Sequence, residues 1–185
     1  GIRIGRQAAE CTAGTGASRH AYRLASQSDQ SGFRRKCDLK DVERAASAAA
    51  RHVEVSEAST SREIEMAFAA FVQNRSEALV VGADPFFIER RVQFAILAVR
   101  HRLPTIYFQR AFVEAGGIVN YGANNFVRYR EVGIYTGRIL KGEKPADMPV
   151  VQPTKFELVI NLPTARAIGV VVPQSLLAQA DELIE

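Results

Sequence analysis

The run Ala78-Leu79-Val80-Val81, closed by Gly82 and followed by Asp84-Pro85, most narrows what this chain can fold into. A short run with no polar residue has no wet face. It predicts a strand buried on both sides, as in a parallel sheet covered by helices. Asp84 then reads as a helix N-cap and Pro85 as the first helical residue. Strand and covering helix thus follow each other directly, which is the unit of a layered α/β fold.

The same alternation runs from Asp38 onward. Residues 38–51 form an Ala-rich helix with Val42, Ala45, Ala46 and Ala49 on one face, and 52–55 a short strand. Caps at Ser59 to Ser61 start a helix that turns Ile64, Phe68, Phe71 and Val72 inward. The helix after Pro85 places Val92, Ala95, Ile96 and Val99 inward. Strand 103–108, a short helix 110–115 and strand 118–121 follow. Asn124 or Asn125 caps a helix to Leu140, with Val132, Thr136, Ile139 and Leu140 inward and Gly133 and Gly137 permitting close packing. Residues 144–155, rich in proline, form an extended connector. Strand 156–162, a short helix from Pro163 to Gly169 and a last helix over 174–184 complete the pattern. The expectation is an α/β, three-layer lobe with a mostly parallel sheet flanked by helices.

Charge is unevenly spread. The formal charge is +4, but residues 1–37 hold seven Lys/Arg against two Asp/Glu, while 38–185 hold 17 against 18. The basicity therefore belongs to the leader, not to the body. With no Trp and no basic stripe interleaved with aromatics, nucleic acid is not an expected partner. Residues 1–37 show no sustained period and read as an irregular leader, distinct from a lobe over 38–185. The chain has no initiating Met, no signal-like start and no apolar run of membrane-spanning length, so it reads as a fragment.

The chemistry on offer is that of binding. There is no glycine-rich phosphate loop, no nucleophile elbow and no His-Glu-x-x-His pattern. His20, His52 and His101 lie at no ligand spacing from each other or from Cys11 and Cys37, so neither a metal nor another cofactor is expected. Arg90, Arg91, Arg100 and Arg102 read as a solvated helix face. What remains lies at the carboxyl ends of strands, where open α/β sheets bind ligands. Asp84 can cap a helix and accept a ligand's hydrogen bond with different oxygens. Phe86 and Phe87 read as core, with one ring available to a ligand. Asn120 and Tyr121 end a strand, and Asn124 and Asn125 are caps.

Four stretches carry a family resemblance: VGADPFF (81–87), YGANNFVRYREVGIYTGRILKGEKPADMPV (121–150), QPTKFELVINLPTARAIG (152–169) and VPQSLLAQADELIE (172–185). Together they resemble the substrate-binding proteins of ABC transporters with the type I periplasmic-binding fold, the subfamily linked to aromatic amino acids. The resemblance covers about residues 38–185, the second of two lobes. It implies a hinged, non-enzymatic protein that captures a small solute and hands it to a membrane permease, in the periplasm or otherwise outside the cytoplasm. It also implies a cleft lined here by Asp84 and Tyr121, with Phe87 and Asn124 beside them. Two other readings compete. A stand-alone α/β enzyme would rest on Asp84 and Tyr121. An effector-binding regulatory domain would need a DNA-binding region upstream, and residues 1–37 show no helix-turn-helix pattern.

Residues 1–37 depart from the family altogether, and a shifted reading frame accounts for that. Gln27 to Gly32 can be coded so that, one base later, it reads Asn-Pro-Thr-Asn-Pro. Likewise Ala21 to Ser26 can decode as Arg-Ile-Ala-Leu-Leu-Val, and Thr12 to Ala17 as Leu-Arg-Glu-Leu-Val-Pro. All three resemble the family's segments there, in order. The expectation is a frame-shifted remnant without the family's buried strand; a functional basic tail is the rival.

Overall fold

The computed structural model describes residues 19–25, 42–44, 46–48, 50–150 and 155–185, with only the backbone for 19–25 and 51. Seven strands build one sheet: β1 (Arg19–Ala25), β2 (Arg51–Glu57), β3 (Ala78–Val81), β4 (Thr105–Tyr107), β5 (Val119–Ala123), β6 (Phe156–Asn161) and β7 (Glu182–Ile184). Their order is β2-β1-β3-β4-β5-β6-β7. The first five run parallel, β6 runs antiparallel to β5, and β7 runs parallel to β6. The helices are α1 (Ser61–Gln73), α2 (Pro85–Glu89), α3 (Arg91–Arg100), α4 (Arg110–Glu114), α5 (Asn125–Leu140), α6 (Leu162–Ile168) and α7 (Gln174–Leu177). The expected α/β class and mostly parallel sheet are what the molecule has. Most of the expected helix over 38–51 lies outside the described residues; 42–44 and 46–48 are helical.

One strand was not expected. Residues 19–25 stand in the middle of the sheet, between β2 and β3, where the sequence reads as irregular leader. Tyr22 and Leu24 pair in register with Leu79 and Val81, which are buried; Ala21 and Arg23 pair with Ala78 and Val80, which are half-buried. Two parallel strands a strand's width apart present unpaired N–H and C=O groups on both sides of the gap. Pairing them outweighs the weak strand signal of RHAYRLA.

The main core lies under α1, α3 and α4. Phe94 meets Phe87 at 5.2 Å, Phe68 at 5.9 Å and Phe112 at 6.0 Å between ring centroids, all edge-on, and Tyr107 stacks on Phe112 at 4.7 Å. A second cluster joins Ile118, Val119, Leu158 and Ile160 to Ala165, Ile168 and Leu176. α1 opens on a capping box: Glu63 N–H donates to the Thr60 hydroxyl (3.2 Å), and Thr60 N–H donates to the Glu63 carboxylate (3.1 Å).

Three expected helix faces turn out differently. In α1 Val72 is exposed, while Ile64, Phe68 and Phe71 are buried as expected. In α3 the buried residues are Phe94, Ala95, Leu97 and Ala98, and Val92, Ile96 and Val99 face outward. That helix is apolar nearly all round, so periodicity does not choose a face; the Phe94 ring, needed at the centre of the aromatic cluster, does. In α5 no residue is buried, although Val132, Thr136, Ile139 and Leu140 were expected to point inward. The expected last helix over 174–184 stops at Leu177, and 182–184 form β7 instead. Asp181 explains the switch: its N–H donates to the Leu158 carbonyl (2.9 Å), and its carboxylate accepts from Leu158 N–H (2.8 Å). The open edge of β6 thus captures the chain as a strand.

Candidate functional site

The strand order reverses direction at β1, since β2 lies on one side of it and β3 to β5 on the other. In such sheets the crevice beyond the carboxyl ends, next to the reversal, is where ligands bind. The segments that leave this edge are Ala58 to Ser61 after β2, Gly82 to Pro85 after β3, Phe108 to Arg110 after β4, and Asn124 after β5.

Asp84 is held rigidly here. Its Oδ1 accepts from Phe86 N–H (2.8 Å), its carbonyl accepts from Phe87 N–H (3.2 Å) and Ile88 N–H (3.3 Å), and it is only 6% exposed. The N-cap reading of the sequence is therefore the observed geometry. Of the two phenylalanines that follow, Phe87 is fully buried against Phe94. It belongs to the core, as the residue reading of the pair has it. The first turn of α2 sends the second ring under the sheet and leaves the first outside. Phe86 is half-buried, with the Arg90 guanidinium over its face at 4.1 Å. Arg90 Nε also donates to the Ser61 hydroxyl (3.0 Å), which joins this edge to the start of α1.

Tyr121 lies inside β5, which runs on to Ala123, and so sits two residues short of the edge. It is half-buried, its ring stacked on Phe156 at 5.7 Å and packed against the second apolar cluster. Asn124 does stand at the edge. Its Oδ1 accepts from Val127 N–H (3.2 Å) as the cap of α5, its N–H donates to the Lys155 carbonyl (3.2 Å), and its Nδ2 donates to the Glu157 carboxylate at close range. Asp84 and Asn124 follow strands separated by β4, about 10 Å apart across the sheet at the usual strand spacing.

The sequence reading missed the charged network behind Asn124. Arg110 grips Glu182 with two parallel bonds (2.6 and 2.7 Å), donates to Glu114 (2.7 Å) and lies 3.7 Å from Glu157. The Glu182 bonds raise the pKa of Arg110 and lower that of Glu182. Arg110 and Glu182 are 72 positions apart, so no local spacing could reveal them. Asn120 is 2% exposed; its Nδ2 reaches the Glu157 carbonyl at 3.4 Å, and its Oδ1 has no hydrogen-bond partner among the described residues. Also among the described residues, no three His, Cys, Asp or Glu side chains come together as metal ligands would. No helix there is long and apolar enough to cross a membrane.

A family model described as ABC transporter substrate binding protein matches residues 36–184. No curated protein sequence matches the chain. Among solved structures, an L-Trp complex of an ABC domain from Streptococcus pneumoniae superposes with a TM-score of 0.83 at 23% identity, covering 97% of this chain and 62% of that one. A conserved domain protein from Vibrio cholerae gives 0.77 at 19% identity, covering 89% and 54%. An ABC transporter solute-binding protein from Conexibacter woesei gives 0.60 at 18% identity, covering 96% and 57%. The chain thus spans a little over half the length of these relatives.

Proposed function

Because the chain belongs to the ABC transporter substrate-binding protein family, we propose that it forms one lobe of a solute-binding protein, closing on an amino-acid-like solute at the carboxyl edge of its sheet. The solute would pass to a membrane permease outside the cytoplasm, and no covalent step would be involved. The observation that carries this reading is Asp84. It is a nearly buried carboxylate, fixed by its own helix, at the end of β3 beside the reversal of strand order. A rigid acceptor there suits an ammonium or other donor group, and Asn124 and Phe86 would add a polar contact and a ring. The pneumococcal relative's L-Trp supports an amino-acid-like ligand.

Calorimetric titration of the 185-residue chain with L-tryptophan and other amino acids tests this. The expected result is saturable, weak binding that Asp84→Asn reduces at least tenfold. Asn is as good an N-cap as Asp, so the fold should hold. Saturable binding that Asp84→Asn leaves unchanged would remove the residue from the site. No binding by any amino acid would count against the reading itself.

For residues 1–37 the proposal is a frame-shifted remnant; its residues 19–25 nevertheless stand inside the sheet as β1, so the lobe takes in this strand as well as residues 38–185. The family match beginning at residue 36 supports it. So does the basic character of RHAYRLA in a central parallel strand, a place that apolar residues usually fill. The DNA of the locus decides it: codons that cannot decode as the shifted phrases end the proposal.

A further inference from the structure

Arg90 reads in sequence as part of a solvated helix face, but the fold ties it down on two sides. Its guanidinium lies 4.1 Å over the Phe86 ring, and its Nε donates to the Ser61 hydroxyl (3.0 Å). Ser61 opens α1, just past the end of β2, and Phe86 lies in the first turn of α2, just past the end of β3. β1 stands between those two strands, and the order of the sheet reverses at it. One side chain thus joins the two segments that flank the reversal. Gln93 fastens the same junction, its Nε2 donating to the Ser61 carbonyl (3.0 Å).

The contacts that orient Arg90 leave donors over. Nε serves Ser61, Nη1 lies 3.4 Å from the Glu89 carboxylate, and Nη2 makes no hydrogen bond among the described residues. Glu89 is a chain neighbour with a side chain 77% exposed; a pair of that kind holds weakly and yields to a better placed carboxylate. The Phe86 ring shields one face of the guanidinium from water, which strengthens the bonds its N–H groups can make. Phe86 also anchors Asp84: its N–H donates to Asp84 Oδ1 (2.8 Å), while its ring carries the guanidinium. A nearly buried carboxylate and an oriented cation are therefore fixed to one residue of one short helix.

We propose that Arg90 determines specificity: its Nη2 and Nη1 take the carboxylate of the solute while Asp84 takes the ammonium, so the site prefers a zwitterionic α-amino acid to the amine that lacks the carboxylate. The inference rests on the reading that the carboxyl edge of the sheet binds an amino-acid-like solute. A planar guanidinium presents parallel N–H groups at the spacing of two carboxylate oxygens. Phe86 and Ser61 hold that fork in place beforehand, so binding costs little side-chain freedom.

Calorimetric titration of the 185-residue chain and of Arg90→Gln tests it. The probes are L-tryptophan, L-phenylalanine and L-leucine, each beside its own amine: tryptamine, phenethylamine and isoamylamine. The expected result is that an amino acid binds the unaltered chain at least about tenfold tighter than its amine, and that Arg90→Gln removes this margin while leaving the amine's affinity unchanged. A merely structural role for Arg90 would weaken amino acid and amine alike, and that outcome overturns the inference. So does an amino acid whose affinity Arg90→Gln leaves intact. If Arg90→Gln fails to fold by circular dichroism, Arg90→Lys decides. Lys keeps the charge without the fork, so it should weaken the amino acid severalfold and the amine not at all; equal effects on both overturn the inference. Binding of none of the six probes by the unaltered chain is a different failure, because it takes away the solute-binding reading on which the inference rests.

Discussion

Gly122 shows how one residue can be dictated by a neighbouring strand. A Cβ on it would lie 2.0 Å from the Phe108 carbonyl oxygen, a backbone atom that cannot step aside. Gly122→Ala should therefore cost about 3 kcal/mol or more in urea denaturation, since β4 and β5 must part at the edge where Asn124 emerges. The packing of β5 on β4 shows that the constraint on this glycine is steric. Arg110 makes a second prediction. Its bonds hold Glu182 below the usual carboxylate value of 4.5. A carboxylate whose pKa is depressed by folding stabilises the fold above its ordinary range and loses that contribution as pH falls through the lowered value. Stability should thus drop as acid is added below about pH 4.5, and Arg110→Ala should flatten that part of the curve, as read by thermal denaturation against pH. An unchanged acid limb would mean that the pair is solvated in solution. Asp84 was legible beforehand because cap chemistry is local, whereas Glu157 and Glu182 join Arg110 only through the sheet.

At the scale of elements, local pattern succeeded where one face is apolar and the other polar. α1 is of this kind: its capping box and its row of Ile64, Phe68 and Phe71 are readable in sequence and are present in the fold. α3 is not, because apolar residues surround it and the aromatic cluster picks the face. β1 lies at the other extreme. Its residues carry a poor strand signal, but the slot between β2 and β3 imposes the conformation. Leu24→Pro is the sharpest test of that slot. A central strand cannot spare an N–H, so the variant should lose more than about 3 kcal/mol or fail to fold. Indifference to the substitution, measured by urea titration, would show that β1 is not needed in the sheet. The short β7 follows the same logic, with Asp181 bonded at both ends to Leu158 and the expected helix given up for one more rung.

At the scale of the molecule, the sequence by itself determined the class of fold, the capped Asp84 and the kinship of residues 38–185, because each rests on interactions between near neighbours in the chain. Alternation of apolar runs with amphipathic stretches is such a signal, and so is an Asp-Pro pair that starts a helix. Tertiary structure decided the rest. It put β1 at the centre of the sheet, kept Tyr121 short of the edge and turned Val92, Ile96 and Val99 of α3 outward. The reason is common to all three. Burial and backbone pairing belong to pairs of elements, and the partner's position is set by strand order, not by distance along the chain. Periodicity can say that α3 is apolar; it cannot say which side the aromatic cluster will take, and the fold takes the side of Phe94, Leu97 and Ala98.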